Sequence, residues 1–159
     1  MTRTYARAPR GQRAVMLEPF KQGPTFSVIS ALGVDGLRAP FLIEGAINSE
    51  VFTRYVEQFL VSCLRRGHQV WLDNVKFHSA PKAVAAITAT GARVCYLPTY
   101  SPDFNPMEHG IGKIKEHLRA AKARTPRALT TALAQALDTV TCSDIRGWFT
   151  QCGYVFSLE

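Results

Sequence analysis

Acidic side chains are scarce in this chain. Asp and Glu number 12 against 19 Lys and Arg, a net charge of +7 and a pI near 9.5. That balance points to an anionic partner, nucleic acid first. Long apolar runs are missing too, and none approaches the ~20 residues that span a bilayer. No membrane partner is expected. No positively charged leader with a following apolar stretch opens the sequence, so secretion is not expected either. Cys63, Cys95, Cys142 and Cys152 include no C-x-x-C pair, which removes zinc-ribbon and redox motifs. They read as reduced thiols serving as small hydrophobes in a cytosolic protein. Internal repeats and low-complexity segments are absent.

What is present fits one domain with a real core: 159 residues, 47% apolar and only 19% charged. Residues 1–13 carry Arg3, Arg7, Arg10 and Arg13 with no acid, a basic arm. Two β-rich runs, 25–33 and 37–45, flank Val34-Asp35-Gly36, whose Asp-Gly pair marks a hairpin turn. Phe52, Tyr55, Val56, Phe59, Leu60 and Cys63 share one helical face; Asn48 or Ser49 can cap its start and Gly67 can end it. Residues 69–73 and 92–98 have the length of buried strands, with an alanine-rich helix between them ending at Gly91. A loop containing Pro98, Pro102 and Pro106 then feeds a helix striped by Met107, Ile111, Ile114 and Leu118. Thr125-Pro126 opens another, aligned on Leu129, Leu133, Leu137 and Val140, and a shorter one covers 143–151. The order predicts an α/β domain with a mixed sheet, antiparallel in the hairpin and parallel in the later strands.

Because acids are few, their positions carry information. Asp73 ends a strand, and in open α/β sheets ligands and metals gather at the carboxyl ends of parallel strands. Asp73 also suits a turn or a helix N-cap. Glu108 lies on the first turn of the helix after the proline loop. With Asn105 as N-cap and Pro106 at N1, Glu108 is N3 and fits a capping box. The same position keeps its carboxylate ionised, which suits a hard divalent cation. The two roles compete for one side chain.

WLDNVKFH (71–78) and YLPTYSPDFNPMEHGIGKIK (96–115) resemble the DDE transposases of the mariner-like group and its bacterial insertion-sequence relatives. In that family the second catalytic Asp lies in a hydrophobic-Asp-Asn strand, and the third carboxylate follows Asn-Pro-x after a Leu-Pro-x-Tyr-Ser-Pro loop. Asp73 and Glu108 match those positions, with 34 residues between them, as in the bacterial branch. The resemblance extends over nearly the whole chain, including the RTYARAPRGQR and APFLIEGAIN segments. It implies an RNase H-like fold and DNA cleavage and strand transfer at transposon ends. It also implies two Mg²⁺ ions, replaceable by Mn²⁺, held by Asp73, Glu108 and a first Asp. In-line displacement at phosphorus then needs no covalent enzyme intermediate. A bacterial cytoplasmic, nucleoid-associated protein follows.

The chain departs from the family where the first Asp should lie, which falls before Met1. Asp35, Glu18 and Asp103 match no motif. The chain therefore reads as the C-terminal part of a transposase, a single catalytic-core domain over 1–159 with an incomplete site. Its central first strand is missing or replaced, RAVMLE (13–18) being the best substitute. Unpaired edges would favour a homo-oligomer such as a dimer, or poor solubility. Around the site, His78 either touches the scissile phosphate or braces the loop, while Asn74 and Asn105 orient backbone. Lys113, Lys115, Arg119 and Arg10 are candidate phosphate contacts, set against a plain solvated helix face. The competing function is a non-catalytic DNA-binding or assembly remnant.

Overall fold

The protein is described from a computed structural model covering residues 7–15 and 23–155. Strands β1 (Phe26–Gly33) and β2 (Gly36–Glu44) form the expected antiparallel hairpin, with Gly33 paired to Gly36 across the turn. Between Ile29 and Ala31 the register shifts, because β2 takes one more residue than β1 over that interval. The extra residue falls at Ala39-Pro40, where Ala39 has φ 47 and Pro40 has no N–H to donate, the conditions for a bulge. Below the turn, Arg38 pairs with Asp35 and donates to the Cys63 carbonyl at 3.0 Å, tying the hairpin to the next helix.

Helix α1 (Ser49–Tyr55) starts at Asn48, whose side chain accepts from the Val51 N–H at 2.9 Å. It then widens into a π-turn (Val56–Leu60) and tightens into a 3-10 turn (Val61–Cys63). The helix thus stops at Cys63 and not at Gly67, because Leu64 is already extended. A π-turn inserts a residue into the spiral and rotates the positions after it. Phe52, Tyr55, Val56 and Leu60 remain buried, while Phe59 turns to the rim and packs on Phe41, ring centroids 4.8 Å apart.

Strands β3 (Gln69–Leu72) and β4 (Arg93–Tyr96) are parallel, joined through a 3-10 turn (Lys76–Ser79) and helix α2 (Pro81–Ala89). Gly91 leaves α2 at φ +82, and a Cβ there would lie 3.0 Å from the Arg66 side chain, so both conformation and space require glycine. Helices α3 (Pro106–Ala121), α4 (Pro126–Asp138) and α5 (Cys142–Gln151) complete the described chain. None of the described helices is long and apolar enough to cross a membrane.

Two apolar clusters hold these elements. Phe52, Tyr55, Val56, Leu60, Ala83 and Ile87 form the first, with Ile29 and Phe41 from the hairpin and Val70, Leu72 and Val94 from the parallel pair packed against it. The second joins α3 to α4 through Ile114, Leu118, Ala132, Leu133 and Ala136, with Leu37 and Leu42 of the hairpin against it. The hairpin therefore contributes apolar side chains to both clusters.

The gap expected at the central strand is visible among the described residues. The mixed sheet is not continuous: among the described residues the hairpin and the parallel pair are separate two-stranded sheets. They share an apolar cluster but no ladder, because no described strand lies between them. Of the suggested replacement strand, residues 13–15 are irregular and Val15 is exposed, while 16–18 lie outside the described residues. Likewise, only 7–13 of the basic arm are described, as an exposed segment with a turn closed by Gln12 N–H on the Pro9 carbonyl.

Candidate active site

Asp73 follows directly on the last residue of β3. The Leu97 N–H donates to the Leu72 carbonyl at 2.9 Å, so β4 and the head of the proline loop run beside this strand end. Asn74 fixes the junction, its side-chain amide donating to the Leu97 carbonyl at 2.5 Å. Asn74 orients backbone here, in the manner expected from the sequence.

The Asp73 carboxylate is divided between two situations. Its Oδ1 accepts from the Val75 N–H at 3.3 Å and lies 2.5 Å from His78 Nδ1. An ionised carboxylate only accepts, so Nδ1 carries the proton of this contact. Oδ2 has no hydrogen-bond partner among the described residues, and the side chain is 42% exposed. The turn role and an unengaged oxygen therefore coexist. His78 is less accessible, at 20%, and its ring packs between Phe52 and Phe77, at centroid distances of 4.7 and 4.6 Å. This packing fixes the imidazole, and the imidazole fixes Oδ1.

The proline loop brings Glu108 to its place by a different route from the one the capping-box pattern suggests. Pro102–Phe104 form a 3-10 turn in which the Asn105 N–H donates to the Pro102 carbonyl at 2.9 Å. That N–H is therefore satisfied without Glu108. Asn105 caps α3 by accepting from the Met107 N–H at 3.1 Å, and Pro106 occupies N1. Glu108 is exposed, and no described group bonds its carboxylate. The prolines thus release the carboxylate from capping duty while leaving it at the positive end of a helix dipole. The preceding Tyr100 is 98% exposed with φ 56, a conformation that costs energy in a non-glycine residue.

The basic candidates separate into two kinds. Lys115 and Arg119 are exposed, and their offsets of seven and eleven residues from Glu108 place all three along one stripe of α3. Gly112, between them, has open space above it. Lys113 points elsewhere: its ammonium lies 2.6 Å from the Asp144 carboxylate and binds α3 to α5. Arg10 is exposed in the N-terminal turn.

Asp144 is a residue the sequence reading passed over, although Thr141-x-x-Asp144 has the capping-box spacing. Its Oδ2 accepts from the Thr141 N–H at 2.8 Å, and the Asp144 N–H donates to the Thr141 hydroxyl at 3.2 Å. The Lys113 ammonium first, then the Thr141 hydroxyl and N–H, hold this carboxyl well below the usual carboxylate range. A depressed folded-state value means the stabilisation is complete above the unfolded value, near 3.9, and is lost as pH falls through the folded one. We expect the urea midpoint of the protein to exceed that of Asp144→Asn by a constant margin from pH 5 to 8. The margin should shrink steadily below about pH 4; a margin independent of pH would remove the ion pair from the account.

Two carboxylates with free oxygens are the hard donors that Mg²⁺-type cations take. The described residues include no group of three or more His, Cys, Asp and Glu placed to hold a metal ion. In donor type, Asp73 and Glu108 fit one oxygen-ligated divalent cation that keeps several waters; they do not by themselves fit two.

A family profile described as DDE superfamily endonuclease matches residues 1–130. No curated protein matches the sequence. Among solved structures, the crystal structure of the Mos1 strand transfer complex matches with a TM-score of 0.72 at 17% identity, over 98% of this chain and 51% of that one. The chain thus has the RNase H-like α/β fold and spans about half the length of that structure's chain.

Proposed function

Since the chain belongs to the DDE superfamily of endonucleases, whose chemistry depends on divalent metal, we propose that it is a catalytic-core portion of a transposase. In this reading Asp73 and Glu108 supply two of the three carboxylates of a Mg²⁺ centre, also served by Mn²⁺, that cuts and joins DNA at transposon ends. The observation carrying it is the state of the two side chains. Neighbouring polar groups are satisfied by one another, yet Asp73 Oδ2 and the whole Glu108 carboxylate are left unengaged by any described residue.

Divalent ions in such a centre lower the cost of placing negative charge on attacking and leaving oxygens. The chain's own groups do the rest. His78 and the Val75 N–H anchor Asp73 Oδ1 and leave Oδ2 unengaged. The Asn105 cap and the Pro102 turn hold Glu108 at a helix start. Lys115 and Arg119 supply positive charge along the same helix face for the phosphate backbone. The second ion requires a further carboxylate from outside the described residues. A strand completing the gap between the two small sheets is the natural carrier, and this role makes the unpaired sheet edges a site of assembly, as a dimer or with another segment. A bacterial cytoplasmic, nucleoid-associated location goes with this reading.

DNA binding measured against salt, with and without Mg²⁺, tests it. The slope of log affinity against log salt should fall by about 1.8 in the Lys115→Glu, Arg119→Glu double variant, near 0.9 for each phosphate that is no longer neutralised. Mg²⁺ should strengthen binding to the unaltered chain and have no effect on Glu108→Gln. Salt-sensitive binding that ignores Mg²⁺ in both would instead favour a non-catalytic DNA-binding remnant.

A further inference from the structure

We propose that Tyr154 is a positioning residue for the metal centre: from beyond the end of α5 it sets where the first turn of α3, and so Glu108, stands relative to the strand that delivers Asp73. The proposal rests on the assignment of those two carboxylates. It concerns a residue outside the segment that the family profile matches.

Tyr154 is fixed before it touches either element. Helix α5 ends with Gly153 at φ +82; the Gly153 N–H donates to the Thr150 carbonyl at 3.0 Å and the Tyr154 N–H to the Phe149 carbonyl at 2.9 Å. These are the two bonds of a Schellman motif, and its usual apolar contact is made by Phe149 and Tyr154, ring centroids 5.5 Å apart and edge-to-face. The placed ring then does two things. Its edge-on contact with Trp71, centroids 6.3 Å apart, addresses β3 two residues before Asp73. Its hydroxyl donates to the Phe104 carbonyl at 2.9 Å, on the turn that leads into the Asn105 cap, four residues before Glu108. One side chain thus bridges the two segments that carry the carboxylates.

The rest of α5 makes the bridge stiff. Trp148 stacks on His109, the residue after Glu108, at 6.5 Å and 16°, and lies over Gly110, where there is no side chain to displace it. Asp144 holds Lys113 one turn further along. Helix α5 therefore grips α3 along its first two turns, and Tyr154 connects that grip to β3. The relative position of two cation ligands depends on their supports, and supporting groups commonly change metal affinity tenfold or more when removed.

Mn²⁺ titration of the full chain, followed by water-proton relaxation and paired with urea unfolding, tests this with four proteins: unaltered, Tyr154→Phe, Asp73→Asn and Glu108→Gln. Phenylalanine keeps the ring contacts and removes only the hydroxyl. Tyr154→Phe should weaken Mn²⁺ binding about fivefold, the scale of one hydrogen bond removed. The urea midpoint should change little at the same time, because the ring contacts with Trp71 and Phe149 are kept and only the placement of Glu108 is loosened. If Tyr154→Phe binds Mn²⁺ like the unaltered chain while binding still requires Asp73 and Glu108, the positioning role is wrong and the metal site stands. A urea midpoint that falls along with Mn²⁺ affinity in Tyr154→Phe also overturns the role, since Tyr154 then acts on stability in general. If the unaltered chain's binding is indifferent to Asp73→Asn and Glu108→Gln, both the site and the role fall.

Discussion

Asp73→Asn is expected to abolish specific divalent-metal binding while leaving the unfolding free energy from urea titration within about 0.5 kcal/mol of the unaltered protein, the range for substitutions away from the core. The two halves follow from the two oxygens. Asparagine keeps a carbonyl oxygen in the position of Oδ1, so the Val75 N–H and the His78 Nδ1 proton retain their acceptor. What disappears is the negative charge and the strong donor at Oδ2, on which a hard cation depends. His78→Ala should give the complementary pattern. The anchor of Oδ1 is removed and the carboxylate stays, so affinity should fall roughly tenfold to a hundredfold without vanishing. Calorimetric Mg²⁺ and Mn²⁺ titrations of both variants would separate the cases. Loss of fold in Asp73→Asn, with metal binding and stability falling together, would show that Asp73 is a turn residue first.

The largest effect on stability is expected at Ile87. Its side chain is fully buried on α2, in the cluster where α1, the hairpin and the parallel strands meet. With no ladder between the two small sheets, this cluster is what joins them. Ile87→Ala should cost about 2–5 kcal/mol, transfer and cavity terms together. For a domain of typical stability, about 5–15 kcal/mol, that is a large share. Urea unfolding should show a much lower midpoint, and dye binding should report exposed apolar surface. A loss below about 1 kcal/mol would mean that the surroundings collapse into the gap, as a loosely packed core allows.

Much of this architecture was legible in the chain because the local signals agree with one another. Pro81, Pro106 and Pro126 each open a helix at its first position, and Gly91 closes one where only glycine fits. The Asp-Gly turn and the two short apolar runs gave the hairpin and the parallel pair. Less legible were features that depend on backbone detail. The Phe52–Cys63 stripe looks like an uninterrupted helix, and the π-turn that rotates Phe59 outward has no composition of its own. The division of the sheet was legible through the family resemblance and not through periodicity, since a repeat of apolar residues marks the strands that are present and not the gap between them.

At the site, the two carboxylates were reached by motif, while the contacts that decide what they are free to do were not. Glu108 satisfies the capping-box spacing, and only the Pro102 carbonyl's claim on the Asn105 N–H removes it from that role. Lys113 and Lys115 are equally basic in the sequence. Asp144, distant in the chain, takes the first and leaves the second exposed. Tyr154 carried no sequence signal at all, since its position comes from a helix end meeting a strand and a loop that are remote from it.

The most direct test asks whether one cation senses both side chains. Substoichiometric Mn²⁺ added to isotope-labelled protein should broaden the backbone amide signals of residues 73–75 and of 107–109 together, at the same added concentration. Both sets should recover when either Asp73→Asn or Glu108→Gln is made. Broadening of one set alone, or of one that survives substitution in the other, would mean that positions 73 and 108 do not share an ion.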